Sequence, residues 1–239
     1  MKTSYTRHKC HLSKEDIENL SFFFCLERNG LLATVFSNFP LPLKRHSIQV
    51  GSAAGLMATY APESAIPQGM TREDYANAVR YGGFYHDIGA FLVYNQHGMY
   101  PEAGERLLRE QISERALDPA ARKVILEIVR DYGERVDGQG YPNRLSENEI
   151  PLHAQICGIV DAIDDIFFIR PIIFKNKINK AERFIRENTG LKFSPEAADC
   201  FIKAREEIEQ LYARWKQTPP LWHTKDLKPL AKPIEQPIG

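Results

Sequence analysis

A chain of 239 residues, 43% hydrophobic and 26% charged, has the make-up of an ordinary folded protein. It is long enough to bury a sizeable core, as one large domain or one domain with a small appendage. With 31 Lys and Arg against 31 Asp and Glu the formal net charge is zero, which excludes a global basic field for nucleic acid and an acidic tail.

The opening stretch, Met1 to Leu20, is polar and has neither the apolar run nor the cleavage site of a secretory signal. Ser13 predicts a helix cap before Lys14, Glu15 and Asp16. Phe22 to Leu26 is apolar but too short to span a bilayer, so a cytoplasmic protein is expected; core packing and a homodimer face are its two readings. Residues 1–43 form a helical lead-in ended by Phe39, Pro40, Leu41 and Pro42. A helix is expected from near Leu43 through His46, Val50, Leu56 and Met57, and a loop at Pro62, Pro67 and Gly69. Thr71, with Asp74 three residues on, caps a helix that runs through Tyr75, Ala78, Val79 and Phe84 to His86. Pro101 opens a helix holding Ala103, Leu107 and Leu108. Asp118 and Pro119 open another that buries Val124, Ile125, Ile128 and Val129. Gly133 to Asn143 reads as a loop.

Pro151 to Ile169 is apolar nearly all round, which marks a central buried helix. A helix from Lys177 to Glu187 stops at Thr189 and Gly190. Ser194 and Pro195 begin a final long helix ending near Trp215, and a Pro-containing tail fills 216–239. The fold class is therefore all-α, with the main domain over 44–215. The four cysteines, Cys10, Cys25, Cys157 and Cys200, form no C-x-x-C pair and read as reduced core residues. Lys175, Lys177 and Lys180 are candidates for a local basic patch.

Several residues can carry chemistry. His86 and Asp87 end an apolar helix and reach one cation only if that helix end turns both to one side. An imidazole nitrogen with a carboxylate oxygen suits Mn, Fe, Zn or Mg. Asp161 stands in the most apolar helix, where an unpartnered carboxylate is costly; a metal, a base, a salt bridge or a cap would each satisfy it. His46 reads as a core histidine or as a ligand. Taken as an ordered set, the four point to a metal site.

That order, His46, His86-Asp87, Asp161, resembles the HD superfamily of metal-dependent phosphohydrolases, and more specifically its HD-GYP branch. Glu134 to Pro142 is similar to that branch's signature loop, and Leu145, Ile150 to Leu152, Ile156, Val160-Asp161, Arg170-Pro171, Gly190 and Phe193 to Pro195 follow in its order. The resemblance covers His46 to Tyr212. It implies an HD-domain helical bundle of the HD-GYP type, a divalent metal (Mn, Fe, Mg or Zn) held by His46, His86, Asp87 and Asp161, and a phosphoester substrate. The family's substrates include cyclic di-GMP and related cyclic dinucleotides. Asp87 is implied to be both ligand and orienter of the attacking water. Glu134, Gly140, Tyr141 and Pro142 are implied to shape the pocket mouth or touch substrate; a plain tight turn is the alternative for the glycine-rich stretch.

The departures are specific. Ala90 stands where the family has a lysine, Tyr100 where it has a metal-binding histidine, and Tyr132 and Gly133 where it has two histidines. The quartet survives while ligands for further metals are lost, which implies a mononuclear site. Arg170 is the candidate to replace the lysine's charge, with Lys175 more distant and a helix-end charge as the alternative; His97 is a candidate substitute ligand. Two functions stay open: a phosphohydrolase or phosphodiesterase, and a sensor or interaction module without turnover. A nucleic-acid enzyme or binder is weaker because the chain has no net positive charge and no aromatic-basic repeat.

Overall fold

A computed structural model describes residues 39–92, 100–112, 117–168 and 176–216. The expected helix at Lys14, the Phe22 to Leu26 run, His97, Arg170, Lys175 and the tail after 216 lie outside the described residues. Among the described residues there are seven α-helices and no strand, as the all-α reading required.

Helix α1 spans Leu41–Ala58. It begins two residues before the expected start because Pro40 serves as its N-cap and Pro42 falls in its first turn, where the missing N–H has no carbonyl to bond. Helix α2, Arg72–Tyr85, is capped by Thr71, whose hydroxyl oxygen accepts from the Asp74 amide at 3.1 Å. Helix α3 is Tyr100–Gln111 and α4 is Pro119–Asp131. The Asp118 carboxylate caps α4, accepting from Ala120 and Ala121 at 2.9 and 3.1 Å. Helix α5, Leu152–Phe168, is followed by α6, Lys177–Asn188. Gly190 ends α6 with φ +81°, a backbone region that costs glycine little. Helix α7, Pro195–Lys216, is capped by Ser194, whose hydroxyl oxygen accepts from Ala197 at 3.1 Å.

Helix α5 is the hub, packed by α1, α2, α4, α6 and α7. Its Ile156, Ile159, Val160 and Ile163 are fully buried, and each such side chain contributes about 1.5–3 kcal/mol of transfer free energy. The most extensive helix pair is α1 with α2. There a Cβ on Gly83 would lie 2.7 Å from the Gly51 Cα, so only glycine permits the approach. His46 precedes Gly51 on α1 and His86 follows Gly83 at the end of α2, so this crossing brings both imidazoles to one place. Lys177 is not a surface cation: it is buried and its ammonium donates to the Phe167 carbonyl. Cys157 and Cys200 are free and buried.

Candidate metal centre

Helix α2 ends at Tyr85, and the chain turns immediately. His86 keeps helical angles, while Asp87 sits at φ −97°, ψ 11°, in the sparsely allowed bridge region. That turn sends both side chains of the doublet to one side. The Nε2 atoms of His46 and His86 are 3.2 Å apart. Asp87 Oδ2 lies 3.8 Å from the first and 3.5 Å from the second. Asp161 Oδ1, from the middle of α5, lies 3.2 and 3.7 Å from the same two nitrogens. His46, His86 and Asp87 offer ligand atoms all within 4.8 Å of one another, and Asp161 joins them across the two imidazoles.

Each imidazole is turned by its other nitrogen. His86 Nδ1 is 2.7 Å from the Gly83 carbonyl, which must accept, so Nδ1 carries the proton and Nε2 is left facing the cluster. His46 Nδ1 is 2.8 Å from Asp164 Oδ2, with the same consequence. Asp164 in turn accepts from the Tyr212 hydroxyl at 2.9 Å, and Tyr212 is set by stacking on Phe167, ring centroids 4.2 Å apart. A carboxylate behind a ligating histidine fixes its tautomer and raises its basicity. The burial argument made for Asp161 applies better to its neighbour. Asp164 has a side chain 6% exposed, whereas that of Asp161 is 37% exposed. Asp164 is one helical turn beyond Asp161 on the same face, and that i, i+3 spacing in an apolar helix was the available signal. Tyr212 carried none.

Three carboxylates face two imidazoles. Even with both imidazoles protonated, one negative charge is left over, and among the described residues no Lys or Arg forms an ion pair with Asp87, Asp161 or Asp164. The titration behaviour follows. Burial opposes charge on His46, but its bonds to Asp161 and Asp164 outweigh that and hold its pKa well above the usual value. Burial likewise opposes charge on His86, and the Asp87 charge with the Asp161 contact outweighs it. Burial pushes Asp161 up, yet the two imidazoles hold it below the ordinary carboxylate range. The cluster attracts positive charge by protons or by a cation. The spacing suits the latter: with bonds of about 2.1 Å, adjacent ligands lie about 3.0 Å apart in an octahedron and about 3.4 Å apart in a tetrahedron. The donor set, two nitrogens and two carboxylate oxygens, fits a borderline divalent ion.

Tyr132, buried at the end of α4, donates its hydroxyl to Asp87 Oδ1 at 2.8 Å and stands edge-on to His86 with ring centroids 4.9 Å apart. Burial, with the Asp87 charge beside it, pushes its pKa well up. The glycine-rich loop forms the wall next to it. Glu134 is buried, and its carboxylate accepts from the backbone of Asn143 at 2.6 Å and Leu145 at 3.0 Å, so it braces the loop. Gly140 presses on the Glu134–Arg135 backbone, where a Cβ would meet Arg135 N at 2.3 Å. Tyr141, joined to Pro142 by a cis peptide, is 42% exposed. Its ring lies over Gly133. Burial and the nearby Asp161 and Asp87 raise the Tyr141 pKa.

A family model described as "HD domain" matches residues 94–196, a span that contains Asp161 and the Gly138 to Pro142 turn but begins after the His86-Asp87 doublet. The chain is 29% identical over 181 residues to a cyclic di-GMP phosphodiesterase of Thermotoga maritima, covering 72% of this chain and 47% of that protein. It is 29% identical over 176 residues to a cyclic di-GMP phosphodiesterase of Pseudomonas aeruginosa, 66% of this chain and 38% of the relative. It is 28% identical over 158 residues to a 3'3'-cGAMP-specific phosphodiesterase of Vibrio cholerae, 62% of this chain and 32% of the relative. The chain thus spans less than half the length of these relatives. Among the described residues no helix is long and apolar enough to cross a membrane.

Proposed function

We propose, from the premise that this chain is an HD-domain protein distantly homologous to the HD-GYP cyclic di-GMP phosphodiesterases, that it is a divalent-metal-dependent phosphohydrolase of a cyclic dinucleotide or another nucleotide phosphoester, working with a single metal. The observation that carries this reading is the gathering of His46, His86 and Asp87 ligand atoms within 4.8 Å of one another, with Asp161 Oδ1 3.2 and 3.7 Å from the two imidazole nitrogens and no Lys or Arg ion pair to Asp87, Asp161 or Asp164 among the described residues. When bound, a divalent ion (Mn, Fe, Mg or Zn) would supply Lewis acidity to a phosphoryl oxygen and acidify water.

The chain's own residues do the rest. His46 and His86 donate Nε2, each turned by its Nδ1 partner. Asp87, whose Oδ1 accepts the Tyr132 hydroxyl, would hold the ion through Oδ2, which suits it to orient a water toward phosphorus. Asp161, partly exposed, would complete the set. Ala90 brings no charge to a phosphate. Lys192 feels Asp161 and Asp165 from the loop before α7, and burial lowers its pKa; its ammonium lies 5.3 Å from the Phe193 ring centroid. It is a candidate to stabilise developing phosphoryl charge alongside Arg170. Tyr141 at the mouth offers a ring for stacking on a base, while Glu134, Gly140 and Pro142 hold that ring in place.

A binding module without turnover is the second reading, favoured by the Tyr132 hydroxyl resting on Asp87 and by Ala90. One experiment separates the two. Metal content is measured after expression with Mn and Fe supplements, beside His86→Ala and Asp161→Ala, and hydrolysis of cyclic di-GMP and simple phosphodiesters is followed on the same samples. About one metal per chain, lost in both variants and accompanied by hydrolysis, supports the enzyme. Bound metal and bound cyclic di-GMP without hydrolysis supports the module. No metal in the folded wild type overturns the enzyme reading.

A further inference from the structure

The carboxylate of Asp87 has two oxygens, and the fold treats them differently. Oδ2 faces the two imidazole nitrogens at 3.8 and 3.5 Å. Oδ1 accepts the Tyr132 hydroxyl at 2.8 Å. Tyr132 has little freedom to leave. Its ring is against His86, and α5 presses on its backbone so closely that a Cβ on Gly158 would lie 2.5 Å from the Tyr132 carbonyl oxygen. On the outer side the Tyr141 ring covers Gly133, the residue next to Tyr132. The position beyond Oδ1 is therefore taken by the Tyr132 hydroxyl.

We infer that Tyr132 is the positioning residue that limits this site to one cation, by holding Asp87 as a one-oxygen ligand. A carboxylate links two metal ions by giving one oxygen to each, so a second ion would bind Oδ1 at about 2.1 Å, in the direction the tyrosine oxygen now occupies. The hydroxyl satisfies Oδ1 with a proton in place of a metal. It also fixes the carboxylate's rotation, which keeps Oδ2 turned toward His46 and His86. The inference rests on reading the quartet as a divalent metal site, and it adds what sets the number of ions there.

The test is a Mn2+ titration of the full chain, read by calorimetry for stoichiometry and by electron paramagnetic resonance for coupling between ions. Wild type is expected to saturate at about one Mn2+ with the six-line spectrum of an isolated ion. Tyr132→His, which exchanges the hydroxyl for an imidazole, is expected to take a second, weaker Mn2+ at millimolar concentration and to show spin coupling. Tyr132→Phe removes only the hydroxyl and keeps the ring that packs on His86. It is expected to bind its first Mn2+ about tenfold more weakly, because Asp87 is no longer held. A Tyr132→His protein that is folded and saturates at one ion overturns the inference, as does a Tyr132→Phe protein with wild-type affinity. Two ions in the wild type also overturn it. The failure of the metal reading itself looks different: no Mn2+ binds to the wild type, and His86→Ala changes nothing.

Discussion

Helix α5 meets a histidine and a carboxylate at each of two places, and the two contacts have opposite character. Near its start, His153 Nε2 is 3.1 Å from Glu127 Oε2, and Lys123 approaches the same carboxylate at 3.7 Å. Burial alone would raise the Glu127 pKa, but the His153 bond, helped by Lys123, brings it below the usual value. One acid there faces a histidine and a lysine, so the group is balanced without any ligand. Further along, Asp161 and Asp164 join Asp87 around two imidazoles, and the acids outnumber their partners. His153 even lines an open pocket of about 470 Å3. Neither a concave surface nor a buried histidine is enough for a candidate metal centre, then; a surplus of clustered donors is the better sign.

The sharpest way to break this comparison is to remove one ligand from the surplus cluster. His86→Ala or Asp161→Asn is expected to lower bound metal from about one per chain to almost none, measured by elemental analysis. A variant that keeps its metal would dissolve the distinction. The next effect lies one bond outward. Asp164→Asn leaves the four ligands in place but weakens the acceptor for His46 Nδ1, and metal affinity is expected to fall about 10- to 100-fold by calorimetry. Tyr212→Phe should act in the same direction and more weakly. At the balanced pair the outcome inverts. His153→Gln is expected to leave metal content unchanged and to reduce stability by about 1 kcal/mol in urea unfolding; loss of metal there would mean that the two ends of α5 are coupled.

The smallest effect sits in the loop. Arg135 beside Asp137 holds its carboxyl down at about 2. A depressed carboxyl pKa stabilises the folded chain above the ordinary unfolded value and stops doing so as the pH falls through the folded one. The melting-temperature gap between wild type and Asp137→Asn should therefore be present at pH 7 and shrink steadily from about pH 4 to pH 2. A gap that does not change with pH would assign Asp137 a purely geometric role, through its acceptance of the Gln139 amide.

The helices were legible because their punctuation is local. Thr71, Asp118 and Ser194 cap in the structure the helices they were expected to begin, and the all-round apolar run after Pro151 became the hub. Where sequence reasoning slipped by two residues, at Pro40 and Pro42, a proline can end one segment or begin the next, and composition does not say which. His46, His86, Asp87 and Asp161 could be singled out as an ordered set. Their supports could not. The Tyr212 hydroxyl on Asp164 and the Tyr132 hydroxyl on Asp87 join residues 48 and 45 positions apart, and nothing in a tyrosine's immediate neighbours says which way its oxygen points. Tyr132 drew notice only as a departure from a histidine; its bond to Asp87 is a fact of packing. The role of Asp164 was half visible, as one more acid in an apolar helix.

The bond between His46 and Asp164 spans 118 positions, and Tyr212 carries the connection on into the last described helix. Such contacts repay loop-closure entropy only after the intervening helices have docked. The four candidate ligands lie on α1, at the end of α2 and on α5, but the Tyr212 support behind Asp164 is added only when α7 docks. A cation that binds the folded quartet and not the unfolded chain would, at a hundredfold excess over its dissociation constant, add about 2.7 kcal/mol to the stability of the native state. A bound metal would then act as a latch on the folded domain as well as a place for chemistry.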